Sequence, residues 1–411
     1  MTIGIGGSTA EIELSKISDM TVGVQPIKKE EYQLRIAKAA RLMQEQNIVA
    51  TYINAGTNLY YFTGTKWNAS ERMVGAILTQ KGTLEYIVPK FEDGTFLKYR
   101  LIEGDLKCWE EHESPYALVG SILTEHGYEN GTVAIDESAS FFLADGLVKE
   151  NTAYNFVSAE PITAGCRMQK SENEIAIIQR AKDMTIVVQK AAAKIMRVGI
   201  SVKEVETFIH KAHIKAGAKE GSYFVIVLFG EDSQFPHGVD VAKDLEADEI
   251  VLVDTGCKVQ GYISDITRTY VFGTPSPRQT EIWNLEKATQ LSAFNAAQIG
   301  VTCGSVDDAA RKTLSENGLS PDYDLPGLPH RVGHGTGLDI HEFPYLVRGN
   351  KTILKEGMVL SNEPMICVPG EFGIRHEDHF YMTATGPKWF TQPMKSIDNP
   401  FDLKVRVGVL E

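Results

Sequence analysis

One pattern occurs twice in the second half of this chain, and it restricts the fold more than any other feature. A long helical pattern beginning at Ser171 closes near Gly199 and leads into a shorter helix ending at Gly217. A second long pattern, from Gln279, closes near Gly300 and leads into a shorter helix ending at Gly318. The two closing glycines, Gly199 and Gly300, stand 101 residues apart. After each helix pair comes a strand pair carrying two acids, Asp254 with Asp265 and then Glu363 with Glu377, offset by 109 and 112 residues. Repeated units of this kind bury their apolar faces against each other. Two similar halves on a pseudo-two-fold axis would therefore present four carboxylates to one pocket.

Each strand pair reads as a hairpin. In VLVDTGCKVQGYISDITRTYVF a turn near Val259 and Gln260 sets Asp254 almost opposite Asp265. In VLSNEPMICVPGEFGIRHEDHFYMT the turn falls near Pro369 and Gly370, midway between Glu363 and Glu377. Acids on apolar strands are costly unless paired, and crowded carboxylates repel one another unless protons or cations compensate them. Two divalent ions balance four carboxylates. Between the hairpins lies HRVGHGTGLDIHEFP, whose Gly333, Gly335 and Gly337 let backbone approach a ligand closely and whose His334 offers a neutral nitrogen. An oxygen-rich set with one nitrogen suits Mn²⁺, Co²⁺, Fe²⁺ or Zn²⁺ rather than Cu⁺.

The first ~165 residues follow a different pattern, that of an α/β domain. Tyr32, Ile36, Ala40 and Met43 recur at helical spacing, and Val74 to Val88 reads as two strands around a Lys81–Gly82 turn. Nothing there has catalytic spacing. A chain of 411 residues is too long for one core, so the expected domains are 1–165 and 166–411, with Ser171 and Glu174 as a capping box just past the boundary. A net charge of −13 argues against a nucleic-acid or anionic-membrane partner. Five scattered cysteines without a CxxC pair fit a reducing compartment. The start lacks a basic and apolar leader, and the longest apolar run, Tyr223 to Phe229, is too short to span a bilayer. A cytoplasmic location is the expectation.

The motifs DTG, GYISDITR, GHGTGLDIHE, SNEP and GIRHED, in that order, resemble those of the prolidase, aminopeptidase P, creatinase and methionine aminopeptidase superfamily. The resemblance implies an α/β (α+β) chain. Its carboxy-terminal catalytic domain would have the pita-bread fold, and a smaller creatinase-like domain would precede it. Carried across position by position, Asp254, Asp265, His334, Glu363 and Glu377 would hold two divalent ions, manganese foremost, with Thr267 and Arg375 beside them. His237 and His341 would contact substrate and handle protons, and Glu363 would manage the proton of a metal-bridging water. Arg348 would grip a dipeptide's carboxylate. Trp67, in YYFTGTKWNASER, would cap the site from the partner subunit of a homodimer. The implied activity is hydrolysis of the Xaa-Pro bond of dipeptides by a metal-bridged hydroxide. Alternatives are aminopeptidase P activity on longer peptides, ectoine-type amide hydrolysis and a creatinase-like amidinohydrolase.

Overall fold

The amphipathic spacing in the first region forms the helix Lys29–Glu45, with Tyr32, Ile36, Ala40 and Met43 all buried, in a computed structural model that describes residues 2–403. The expected hairpin is the antiparallel pair Gly75–Thr79 and Leu84–Pro89, turning where Gly82 takes a positive φ. Both strands belong to a mixed six-stranded sheet. Its order runs Asp105–Trp109, Leu84–Pro89, Gly75–Thr79, Ile48–Asn54, Gly131–Ile135, Tyr154–Ser158. The helices Pro115–Glu125 and Phe141–Glu150 pack Val119, Ile122, Leu123 and Leu147 onto Ala50, Ile77 and Val133 of that sheet. Pro26–Arg167 forms one compact unit.

The second unit runs from Met168 onward and also takes in the chain up to Gln25. The boundary thus lies two residues past the expected one, and the first 25 residues, expected in the first domain, belong with the second. The reason is backbone pairing that side-chain pattern does not reveal. Thr2 N donates to Gly273 O (2.7 Å), Gly6 N to Ala193 O (2.9 Å) and Met20 N to Ala216 O (2.8 Å).

The repeat is present as two helix pairs, each followed by sheet. The first pair is Glu172–Lys194 and Val202–Lys215; both helices open on a serine capping box, Ser171 with Glu174 and Ser201 with Glu204. The second is Pro277–Ala296, with a Ser276 and Gln279 box, and Cys303–Glu316. Satisfying the orphan N–H groups at these starts fixes where each helix begins. The first sheet pairs Glu249–Val259 with Ser222–Phe229 on one side and Ile266–Phe272 on the other. The second runs Glu342–Leu346, Gly333–Gly335, Val359–Asn362, Asp378–Thr383, Gly386–Trp389, with Met365–Val368 and Phe372–Arg375 as a separate hairpin. This is the two-fold arrangement expected of a pita-bread domain. Among the described residues no helix is long and apolar enough to cross a membrane.

Candidate metal centre

Asp254 sits in the middle of its strand, but the other three carboxylates lie where a strand leaves one ladder for another. Asp265 falls between Tyr262–Ile263 and Ile266–Phe272, Glu363 between Val359–Asn362 and Met365–Val368, and Glu377 between Phe372–Arg375 and Asp378–Thr383. The residue opposite Asp254 is Thr267, two positions past the expected Asp265, because the chain turns at Gln260 and Gly261 (φ 52° and 88°), one residue later than expected, and the register then runs on unshifted from Val259 and Tyr262 to Asp254 and Thr267. The close approach needs glycine: a Cβ on Gly256 would lie 1.7 Å from Ser264 O, and one on Gly333 2.2 Å from Ser361 O.

The structure brings the five expected ligands into one connected cluster. His334 Nε2 lies 2.9 Å from Glu363 Oε1 and 3.6 Å from Asp265 Oδ2. Donor atoms of His334, Glu363 and Glu377 lie within 4.8 Å of one another, and so do those of Asp265, Glu377 and His379 and those of Asp265, His334 and His341. Thr267 Oγ1 donates to Glu377 Oε2 (2.8 Å) and accepts from Arg375 Nε (3.0 Å), and Arg375 Nη2 binds Asp254 Oδ2 (2.6 Å). Thr267 and Arg375 therefore orient carboxylates from two strands. Ser361 Oγ accepts from His334 N (2.8 Å) and donates to Glu363 Oε1 (3.0 Å), fixing both ligands of that side.

Two orphaned atoms show what this cluster is suited to hold. His334 Nδ1 is 2.9 Å from Gly335 O and donates its proton there, so the lone pair sits on Nε2. That nitrogen is buried and faces the carboxylate oxygens of Glu363 and Asp265 with no donor aligned on it, and Asp254 Oδ1 has no hydrogen-bond partner. A buried acceptor without a donor is expensive, whereas a divalent cation satisfies both atoms. Electrostatics agree. Burial raises the Asp265 pKa, helped by Asp254 and opposed by His334, while Glu377 is raised by burial and by Asp265 and Glu363. Burial would also raise Glu363, but His334, His330 and Arg375 outweigh it and draw its carboxyl below the usual range. Acids pushed up in this way take either a proton or a cation. The residues fit divalent metal.

The remaining candidates are placed differently. His341 stacks edge-on against His334 with ring centroids 4.1 Å apart; its side chain is exposed, yet desolvation by the surrounding protein, then His334 and Arg331, hold its pKa down to about 4. Its neighbour Glu342 forms a buried ion pair with Lys170 (2.5 Å) that ties down this loop. His237 is exposed, on the loop beside Pro236, whose carbonyl accepts from Arg375 Nη1 (3.3 Å). Arg348 is not brought to the cluster by any hydrogen bond or ion pair; its guanidinium binds Asp322 Oδ1 and Pro321 O, both at 2.5 Å. Trp67, in the other unit, packs on Phe96 and Tyr99 with centroids 5.5 and 6.2 Å away.

Three residues escaped sequence reasoning. His330 donates through Nδ1 to Arg331 O (2.7 Å) and leaves a buried Nε2 without a partner, close enough to feel Glu363 and His237. Arg331 stacks on Tyr345 (4.4 Å) beside His341, and among the described residues no carboxylate pairs with it. His379 Nε2 lies 3.0 Å from Glu377 Oε1. His379 had a signal in the sequence, since a residue two positions after Glu377 on a strand shares its face.

The sequence matches metallopeptidase family M24 over residues 176–384 and the creatinase/prolidase amino-terminal domain over residues 35–169. It is 32% identical over 364 residues to a protein named putative dipeptidase YkvY of Bacillus subtilis, spanning 88% of this chain and 99% of that one. It is 30% identical over 363 residues to the Xaa-Pro dipeptidase of Pyrococcus furiosus, again spanning 88% and 99%. The structure of dipeptidase PepE from Mycobacterium ulcerans superposes with a TM-score of 0.83 at 29% identity, covering 90% of this chain and 97% of that one. The chain belongs to metallopeptidase family M24, joined to an amino-terminal domain of the creatinase/prolidase type.

Proposed function

We propose that this metallopeptidase is an Xaa-Pro dipeptidase that works with two divalent ions held by Asp254, Asp265, His334, Glu363 and Glu377. The observation that carries the reading is the buried cluster of carboxylates, in which His334 Nε2 faces the oxygens of Glu363 and Asp265 and Asp254 Oδ1 has no hydrogen-bond partner. When bound, the ions lower the pKa of water and polarise the scissile carbonyl. The chain's own residues do the rest. Glu363, steadied by Ser361 Oγ, holds the water's proton. His341, neutral at pH 7, and His237 flank the open side, where one stabilises charge on the carbonyl oxygen and the other meets the leaving nitrogen. Proline leaves from a tertiary amide with no N–H, so a site for it must bind the carbonyl and the chain ends instead.

The substrate's carboxylate needs a cation, and two arginines compete for that role. Arg348 is already paired with Asp322, whereas Arg331 has no acidic partner among the described residues and lies beside His341. The unpartnered guanidinium favours Arg331. We further propose a cytoplasmic homodimer without a nucleic-acid or membrane partner, in which Trp67 of one subunit caps its partner's site. A net charge of −13 argues against a nucleic-acid or anionic-membrane partner.

The experiment is a substrate panel with Mn²⁺, Co²⁺ or Zn²⁺ added: Gly-Pro, Ala-Pro, Ala-Pro amide, Ala-Pro-Ala, creatine and ectoine. The reading expects Ala-Pro and Gly-Pro to dominate. It also expects Arg331→Ala to lower kcat/KM for Ala-Pro roughly tenfold or more, with far less effect on the amide, since a charge-assisted hydrogen bond contributes about 1.5–3 kcal/mol. If Arg348→Ala shows that selectivity instead, the anchor is Arg348. Equal turnover of Ala-Pro-Ala would make the enzyme an aminopeptidase P, and turnover of ectoine or creatine alone would refute the peptidase reading.

A further inference from the structure

The Asp378–Thr383 strand follows directly on Glu377, and its pleat sends Glu377 and His379 to one face. Asp378 between them turns the other way, to Arg268 Nη2 (2.7 Å) and Thr391 Oγ1 (2.5 Å). His379 is fully buried, and its donor atom, with one each from Asp265 and Glu377, forms a group whose members all lie within 4.8 Å of one another. Its ring centroid is 5.9 Å from that of His334. We propose that His379 is a sixth ligand of the centre, giving Nε2 to the ion that Asp265 and Glu377 hold. The assignment rests on the two-ion reading above.

The division of labour at Glu377 carries the argument. Its Oε2 already accepts the Thr267 hydroxyl at 2.8 Å, so Oε1 is the oxygen left for an ion, and Oε1 is the atom that His379 Nε2 meets at 3.0 Å. An N–H donated to that oxygen would compete with the ion for it. Two donors that each sit about 2.0–2.2 Å from one ion approach each other to about 3 Å. Ligation places the imidazole proton on Nδ1, which is buried and has no partner. His334 is the sole nitrogen of the expected five ligands and lies against Glu363. His379 supplies a nitrogen to the opposite side, and imidazole there favours Zn²⁺ and Co²⁺ over Mn²⁺ relative to an all-oxygen set.

The test loads metal-free, full-length protein with Co²⁺, Zn²⁺ or Mn²⁺ and reads bound ion by elemental analysis and, for Co²⁺, hyperfine-shifted proton NMR. Wild-type protein carrying two Co²⁺ ions should show two slowly exchanging imidazole N–H signals, one from His334 and one from His379. His379→Leu and His379→Gln should both lose the second signal and bind one of the two ions at least about tenfold more weakly. The loss should be larger for Zn²⁺ than for Mn²⁺. Rescue of ion affinity by His379→Gln would overturn ligation, because glutamine can restore a hydrogen bond to Glu377 but not an imidazole ligand. A single N–H signal in the wild type, a readout that needs no variant to fold, would overturn it as well. A wild-type chain that takes up no second ion at all would instead contradict the two-ion reading and bring this assignment down with it.

Discussion

Gln189 and Gln290 stand 101 residues apart, the same step that separates Gly199 from Gly300, and each ties together the two strands of a carboxylate-bearing pair. Gln189 Nε2 donates to Val253 O (3.0 Å) and Ile266 O (2.9 Å), next to Asp254 and Asp265. Gln290 Nε2 donates to Asn362 O (3.3 Å) and His376 O (3.1 Å), next to Glu363 and Glu377. One turn earlier on the same helices the halves diverge. Thr185 joins an uncharged chain, with Ser264 Oγ at 2.7 Å and His213 Nε2 at 3.2 Å, whereas at the same step Glu286 is a buried acid 3.2 Å from His376 Nε2. Lys182 puts a buried ammonium near Asp265 and Glu377, and the equivalent position in the other half is Trp283. Burial lowers the Lys182 pKa against the upward pull of those acids, and burial raises that of Glu286. The clamp that sets strand geometry is thus common to both halves, while the groups that set local charge are not.

If both halves build one centre, removing a charge from either should have the same large consequence. Asp265→Asn and Glu377→Gln are each expected to cut Xaa-Pro turnover at least about a thousandfold, about 4 kcal/mol of transition-state stabilisation, and to lower bound metal. Initial rates and elemental analysis check this. One variant keeping full metal content and rate would break the equivalence.

The divergent layer should respond unequally. Glu286→Ala empties a fully buried site and leaves His376 Nε2 without the acid it faces, so it is expected to destabilise the metal-free protein by about 2–4 kcal/mol, whereas Glu286→Leu with His376→Ile should recover most of that loss. Thr185→Ala, which removes a neutral hydrogen bond, should cost about 1–2 kcal/mol. Urea denaturation measures all three, and equal costs for Glu286→Ala and Thr185→Ala would erase the distinction. The shared layer should respond equally: Gln189→Leu and Gln290→Leu are each expected to cost about 1–3 kcal/mol.

The smallest effect concerns pH. Burial holds the pKa of His213 down to about 3, so folding keeps its ring neutral while the unfolded chain protonates it below about 6.5. The unfolded state then binds more protons, and stability falls as pH drops from about 6.5 towards about 3. His213→Gln should flatten the stability–pH profile in that window by one proton, about 1.4 kcal/mol per pH unit. An unchanged slope would show that His213 is protonated in the fold.

The sequence made the repeat legible because glycines ending helices and acids interrupting apolar strands are local signals. Gly199, Gly300 and the serine box at Ser171 needed no knowledge of tertiary contacts, whereas the second box, at Ser276, lies three residues before the expected helix start at Gln279. The register of Asp254 against Thr267 was not legible, since placing the turn at Gln260 and Gly261 instead of one residue earlier moves every partner by two positions. Nor was the docking of Thr2 and Gly6, which is carried by backbone groups common to every residue. The Gln189 and Gln290 clamps followed the 101-residue step but carried no chemical signature of their own. Arg331 and His330 became visible only when burial and missing partners could be read together.

The central claim is that the four carboxylates and His334 are a metal centre. Its most direct test is stripping the wild-type chain with a chelator, measuring bound ion, and following Ala-Pro hydrolysis as Mn²⁺, Co²⁺ or Zn²⁺ is returned. The account predicts an inactive metal-free protein whose activity returns as up to two ions bind per chain. Full Ala-Pro hydrolysis by protein shown to contain no metal would contradict it.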